Sequence, residues 1–204
     1  MESGSLLEAL ISLLLATLML MGSPGPATLA LAATGASVGF RRGLPFLLGI
    51  MTGLAIVISG AALGLAAVFE NFPQLRMIVQ ILGTAYICYL AYKIAFAPVL
   101  TDHPEQAAEI PVYADGLLLN LLNAKAYAVF LAVFSQFLLP ASNAAMSYAL
   151  TGLVCFGMGI TVNLSWLWFG TAINPLFRQQ KSARILRSVF AVLMVASVAV
   201  VSLR

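Results

Sequence analysis

The sequence predicts an all-α integral membrane protein: six transmembrane helices arranged as two inverted three-helix repeats, with helices one and four broken. Three observations lead there. A composition that is 62% hydrophobic and 8% charged, with mean hydropathy +1.02, leaves too little polar surface to cover a water-soluble globule. A bilayer crossing takes about 20 apolar residues. Six runs reach that length, at roughly 6–34, 44–68, 74–97, 116–138, 144–172 and 185–203. The first and fourth runs are each interrupted by helix-breaking or polar residues and each is followed by two unbroken runs. The chain then divides into residues 1–97 as one repeat, 98–112 as a cytoplasmic linker and 113–204 as the second repeat. Little is left for a soluble domain, so whatever the protein does, it does within the bilayer.

The first run opens with Glu2 and Glu8 and no Lys or Arg, unlike a cleavable signal, so it is expected to stay in the mature chain. Its interruption is Gly22-Ser23-Pro24-Gly25-Pro26. Pro24 and Pro26 lack N–H donors and disfavour helix in the residue before them, so a helix arriving through Met21 must break. Proline also suits the first turn of a helix, so Pro26 can open a second half-helix through Ala33 whose unpaired N–H groups face the break. Unpaired backbone groups in hydrocarbon cost several kcal/mol each, so the break is expected to line a polar cavity or be buried in protein, which makes it a site candidate.

Basic residues set the orientation. Arg41 and Arg42 follow the first run and Arg178, Lys181, Arg184 and Arg187 follow the fifth, so six of the ten basic residues fall in two loops on one side. That side is expected to be cytoplasmic, which leaves both termini outside. The net charge of +3 therefore concerns the lipid bilayer and not nucleic acid.

In run two, glycines 49, 53, 60 and 64 share one helix face and form a packing groove, which would serve an internal contact or a homo-oligomer equally well. Run three carries Tyr86, Tyr89 and Tyr92 three apart, with Tyr92 and Lys93 placed as interfacial anchors. Tyr86 lies deeper, where its hydroxyl needs a partner, either in a cavity wall or in a structural hydrogen bond. The polar linker holds the chain's one histidine, His103, too isolated for a metal site. Cys88 and Cys155 match no redox or zinc spacing, and no metal or cofactor is expected.

Run four holds the second interruption, Asn120-Leu121-Leu122-Asn123-Ala124-Lys125. Lys125 lies about ten residues inside the run, and a charge at that depth needs water or a counterion, which makes it a functional residue by default. Asn123 suits the N-cap of a second half-helix. Asp115, at the start of the run, is expected to cap a helix and is the nearest acid available as a proton carrier. Run five buries Asn163 beside Ser165 and Trp166, where it can close a cavity or bond a neighbouring helix. With three crossings per half, the two half-helix starts face a shared centre in opposite senses, and helix N-termini so placed bind anionic groups.

The Pro24-Gly25-Pro26 break, Gly49-Ile50-Met51-Thr52-Gly53, the Gly83 to Lys93 stretch and Asn120 to Lys125 resemble the LysE/RhtB family of bacterial amino-acid exporters over nearly the whole chain. Asn163 to Trp166 and Phe177-Arg178 look closest to exporters of neutral amino acids such as cysteine and O-acetylserine. The resemblance implies secondary, proton-driven efflux through the bacterial inner membrane. Two departures matter. Where the family has Asn-Pro-Lys this chain has Asn123-Ala124-Lys125, a softer break. Where many relatives carry Asp after the glycine of run two, Leu54 follows Gly53, which removes a partner for a cationic side chain.

The expected mechanism holds the substrate carboxylate between the half-helix at Pro24–Pro26 and the Lys125 ammonium, with Asn120 and Asn123 orienting it. Ser23, Thr28 and freed carbonyls at the break would accept from the substrate amine. Export of a metal cation or another small metabolite is the alternative, though only Cys88 and Cys155 could serve as soft ligands at depth. No His, Asp or Glu lies deep in any run, so the acid–base set an intramembrane enzyme needs is missing.

Overall fold

The computed structural model describes residues 2–64, 71–96, 111–173 and 180–202, and the described residues form helices joined by short turns. These are α1 (Glu2–Gly22), α2 (Pro26–Ala62), α3 (Pro73–Ala95), α4 (Tyr113–Leu121), α5 (Ala124–Gln136), α6 (Ala144–Ala172) and α7 (Gln180–Ser202). Three of them, α2, the 77–95 part of α3 and α6, are long and apolar enough to cross a membrane, and α4 with α5, bent by 56°, makes a fourth crossing if taken as one span. The protein is a multi-pass helical membrane protein.

The first break falls where the prolines require it. α1 ends at Gly22 and α2 starts with Pro26 at its first position, its N-cap being Gly25 in an extended conformation. The second break also forms, although Ala124 stands where a proline would enforce it. Asn123 caps α5, its side-chain oxygen accepting from the Lys125 N–H at 3.2 Å. A polar cap is therefore sufficient to restart the helix without proline's steric block.

Between the first two runs the sequence suggests a loop holding Arg41 and Arg42, but the chain reverses at a single residue. Gly39 alone leaves helical geometry, at φ 79° and ψ 174°, and both arginines are helical and exposed. Only glycine adopts that backbone region without strain. α2 is thus a hairpin of two arms, 26–38 and 40–62, and a Cβ on Gly43 would lie 3.3 Å from Thr34 Cγ2 across it.

The second arm packs along α4 without side chains between them. Gly49 lies against Tyr113 and Leu117, Gly53 against Leu117 and Asn120, and Gly116 against Phe46 and Ile50. Residue numbers rise together, so these two helices run parallel. Close backbone approach replaces the hydrophobic drive that lipid does not supply. Against α6 the second arm runs antiparallel, Ile58 meeting Gly152, Leu54 meeting Gly159 and Met51 meeting Asn163. Of the four glycines placed on one groove, Gly49 and Gly53 make it. Gly64 lies beyond the Leu63 C-cap with φ 93°, so it ends the helix.

Arg187 differs from its expected place in a basic loop. It sits within α7 with 2% exposure. Arg178 and the linker from 98 to 110, His103 included, lie outside the described residues.

Candidate functional site

The two breaks meet. Lys125, at the second position of α5, reaches across to the first break, where its ammonium donates to Ser23 O at 2.7 Å, Ser23 Oγ at 2.8 Å and, distantly, Pro24 O at 3.5 Å. Ser23 Oγ in turn donates to Leu20 O at 2.9 Å. The remaining carbonyl of the break, Gly22 O, accepts from Trp166 Nε1 of α6 at 3.3 Å. Every carbonyl from Gly22 to Pro24 thus meets a side-chain donor from another helix, the arrangement a break at membrane depth requires. Passage of the lysine explains Gly25: a Cβ there would lie 2.9 Å from both Lys125 Cδ and Nζ. In the first turn of α2, Gly25 N–H donates to Thr28 Oγ1 at 2.9 Å, and Thr28 Oγ1 donates to Gly25 O at 3.1 Å. At the second break Tyr127 Oη donates to Leu121 O at 2.7 Å.

Beside this clasp lies a cavity of about 50 Å³. Gly25, Thr28, Asn120, Asn123, Lys125 and Asn163, six residues nominated from sequence, all line it. Ser23 and Pro24 contribute by holding the lysine, and Pro26 lines a smaller adjoining cavity with Asn123 and Lys125. No lining residue of the larger cavity is acidic, and its one charge is the ammonium, whose partners are all neutral oxygens. Asn120 is 3% exposed, and its Nδ2 has no hydrogen-bond partner. Asn163 Nδ2 donates to Gly159 O at 2.9 Å, with Met51 Sδ 3.7 Å away, which leaves its carbonyl oxygen as an acceptor.

Tyr86 and Asp115 stand elsewhere. Tyr86 Oη donates to Asp115 O at 3.2 Å and Oδ1 at 3.3 Å, while Asp115 Oδ2 accepts from Val112 N–H at 2.9 Å. Tyr86 thus makes the structural bond and does not line the central cavity, and Asp115 caps α4. The rest of the cavity wall, Met21, Leu54, Val129, Phe130 and Val162, was not singled out as binding residues. The i, i+3 and i+4 spacing of Ala126, Val129 and Phe130 could have found one face of it. Trp166 gave no such signal, because its hydrogen bond reaches a carbonyl 144 residues away, and Tyr127 gave none because its bond to Leu121 O depends on the bend between α4 and α5. Among the described residues no group of three or more His, Cys, Asp or Glu could hold a metal ion.

Two broken helices that meet at a cavity within an apolar bundle define a class, the helical membrane transport proteins. Residues 18–203 match the family described as LysE type translocator, and the chain belongs to it. The chain is 28% identical over 169 residues to the threonine efflux proteins of Salmonella typhi and Salmonella typhimurium, covering 79% of this chain and 78% of each relative. No solved structure matches it. It is a transporter and not an enzyme.

Proposed function

We propose that the protein exports neutral amino acids or close derivatives from the bacterial cytoplasm, as a proton-coupled secondary transporter of the inner membrane. One observation carries this: the cavity between the breaks offers a single ammonium, the unpartnered amide NH2 of Asn120 and no carboxylate. A site of that character takes a carboxylate. The Lys125 N–H that reaches only as far as Pro24 O is its first ligand. Asn120, whose Nδ2 has no partner, lines the same cavity, and a carboxylate bonded to it satisfies a buried donor worth about 1–3 kcal/mol. Oxygens of Asn163 and Asn123 receive the substrate amine. Ser23 and Thr28, whose hydroxyls are engaged at the break, act by holding it in shape.

The apolar part of the wall argues for a neutral cargo. Leu54, Val129, Phe130 and Val162 offer no counterion to a lysine or arginine side chain, and no thiolate, imidazole or carboxylate for a metal cation. The relatives named for threonine efflux are consistent with a small neutral substrate.

The wider architecture belongs to the same proposal. Six spans form two inverted repeats, supported by the matched breaks and by the second arm of α2 running parallel to α4. Arg41 and Arg42, Lys93 at the end of α3 and the start of α4 all lie toward the Gly39 turn, the side we take as cytoplasmic. Both termini are then periplasmic. Asp115, on that same side, is the carboxylate we assign to proton coupling.

The test is efflux from cells preloaded with neutral amino acids supplied as dipeptides, comparing wild type with Lys125→Met. Wild-type cells are expected to lose neutral amino acids faster, and Lys125→Met to abolish the difference at an unchanged level in the membrane. Undiminished efflux by the variant overturns the carboxylate site, and no efflux across the panel overturns the substrate class.

A further inference from the structure

A second cavity, of about 50 Å³, lies between both arms of α2, the end of α3 and the start of α4. Its wall carries one cation and one acid, Lys93 and Asp115, with Thr34 and Ser37 between apolar Ala33 and Phe46. We propose that it is a vestibule that binds the amino acid as a zwitterion, carboxylate to Lys93 and ammonium to Asp115, before it reaches the central cavity. This rests on the amino-acid export reading above.

Three helices line both cavities, and on each the step is in the same direction. Thr28 gives way to Thr34 on the first arm, Leu54 to Phe46 on the second and Asn120 to Asp115 on α4. At about 1.5 Å per residue each step is on the order of 10 Å, always toward the Gly39 turn. The cavities are therefore stacked along one axis. The turns between them carry Leu31, Ile50 and Leu119, buried with exposures of 0%, 1% and 0%, each three or four residues along its helix from a wall residue of the vestibule.

The chemistry of the two chambers is complementary. The central cavity holds a positive charge alone, whereas the vestibule presents both signs, as a molecule bearing both requires when it leaves water. Asp115 retains capacity for this: Val112 N–H and Tyr86 O–H occupy two of about four lone-pair positions on its carboxylate. A carboxylate that has taken a proton no longer pairs with an ammonium. Proton and substrate thereby exclude one another at Asp115, which accords with its coupling role.

The test uses the full-length protein in energised inside-out membrane vesicles, where the cytoplasmic face meets the medium, and measures uptake of labelled threonine. Lys93→Gln is expected to raise the half-saturating concentration about five- to tenfold with a maximal rate near wild type, and Asp115→Asn to raise it by a similar factor while also lowering the maximal rate, since the coupling carboxylate is lost. Asp115→Asn keeps one side-chain oxygen to accept from Val112 N–H, and Tyr86 keeps its bond to the backbone carbonyl of residue 115, while the charge is removed. Competition sorts the roles. Threonine amide, which lacks the carboxylate, should lose potency only in Asp115→Asn, and N-acetylthreonine, which lacks the amine, only in Lys93→Gln. Lys93→Arg and Asp115→Glu should restore wild-type values. Competitors shifted alike in both variants, or in neither, overturn the vestibule while export stands, as does a maximal rate lost in all four variants. Wild-type vesicles that take up neither threonine nor any other neutral amino acid overturn the export reading and the vestibule with it.

Discussion

Lys125 does two things at one atom. Its ammonium closes the first break by bonding Ser23 and Pro24, and it supplies the one charge of the central cavity. Removing it leaves Ser23 O and Ser23 Oγ without their donor at membrane depth, so loss of transport in Lys125→Met combines a missing ligand with a loosened break. Leu54 separates cargo chemistry from architecture more cleanly. It lines the cavity with 3% exposure, and its Cδ2 lies against the face of Gly159 on α6. Leu54→Asp places a carboxylate in a cavity that holds none. The variant is expected to admit lysine as a competitor while weakening uptake of neutral amino acids at least about tenfold, since the new charge pairs with Lys125. Competition between labelled threonine and unlabelled lysine in vesicles reads it, and an unchanged preference would remove Leu54 from the specificity wall.

At the scale of elements, both breaks and the hairpin turn depend on single residues. Gly25 adopts an extended backbone open to any residue, so its requirement is space for the lysine stem. Gly25→Ala should therefore insert and fold but push Lys125 off Ser23. Its transport rate is expected to fall at least about tenfold, with an unfolding midpoint in detergent within a few degrees of wild type. Gly39 is the opposite case: nothing crowds it, but its φ of 79° does not suit a branched side chain. Gly39→Val should cost about 1–3 kcal/mol and lower the detergent unfolding midpoint, whatever its effect on transport. A midpoint equal to wild type would mean that the hairpin turns by other means.

For the whole molecule, the proposed orientation is the property to test first, because the vestibule and the direction of export both follow from it. In a variant lacking Cys88 and Cys155, a cysteine replacing exposed Arg41 should react with an impermeant maleimide only after the membrane is opened, and one replacing exposed Ser142 should react in intact cells. The reverse pattern would invert the assignment. Much of this architecture was legible in sequence because lipid enforces it. The fifth run, 144–172, coincides with α6, and Pro24-Gly25-Pro26 breaks its helix for reasons local to the proline ring. The loop expected around Arg41 was misread because a reversal at one glycine leaves no polar stretch to mark it. Arg187 was misread because a basic residue near a helix start looks the same in sequence whether it faces water or the bundle.

What the sequence determined by itself is the set of properties written in local chemistry. Composition and run length require a membrane protein, prolines and a capping asparagine require two breaks, and the depth of Lys125 nominates it as a candidate site residue. The tertiary structure decided which of these groups share a space. Asn120, Asn163 and Lys125 line one cavity, whereas Tyr86 and Asp115 form a separate pair, with Asp115 about one and a half turns from Asn120 along α4. That partition depends on the bend between α4 and α5 and on the glycine contact of α2 with α4. Both arise from contacts between residues far apart in the chain, and helical periodicity specifies a face but not the neighbour that will cover it.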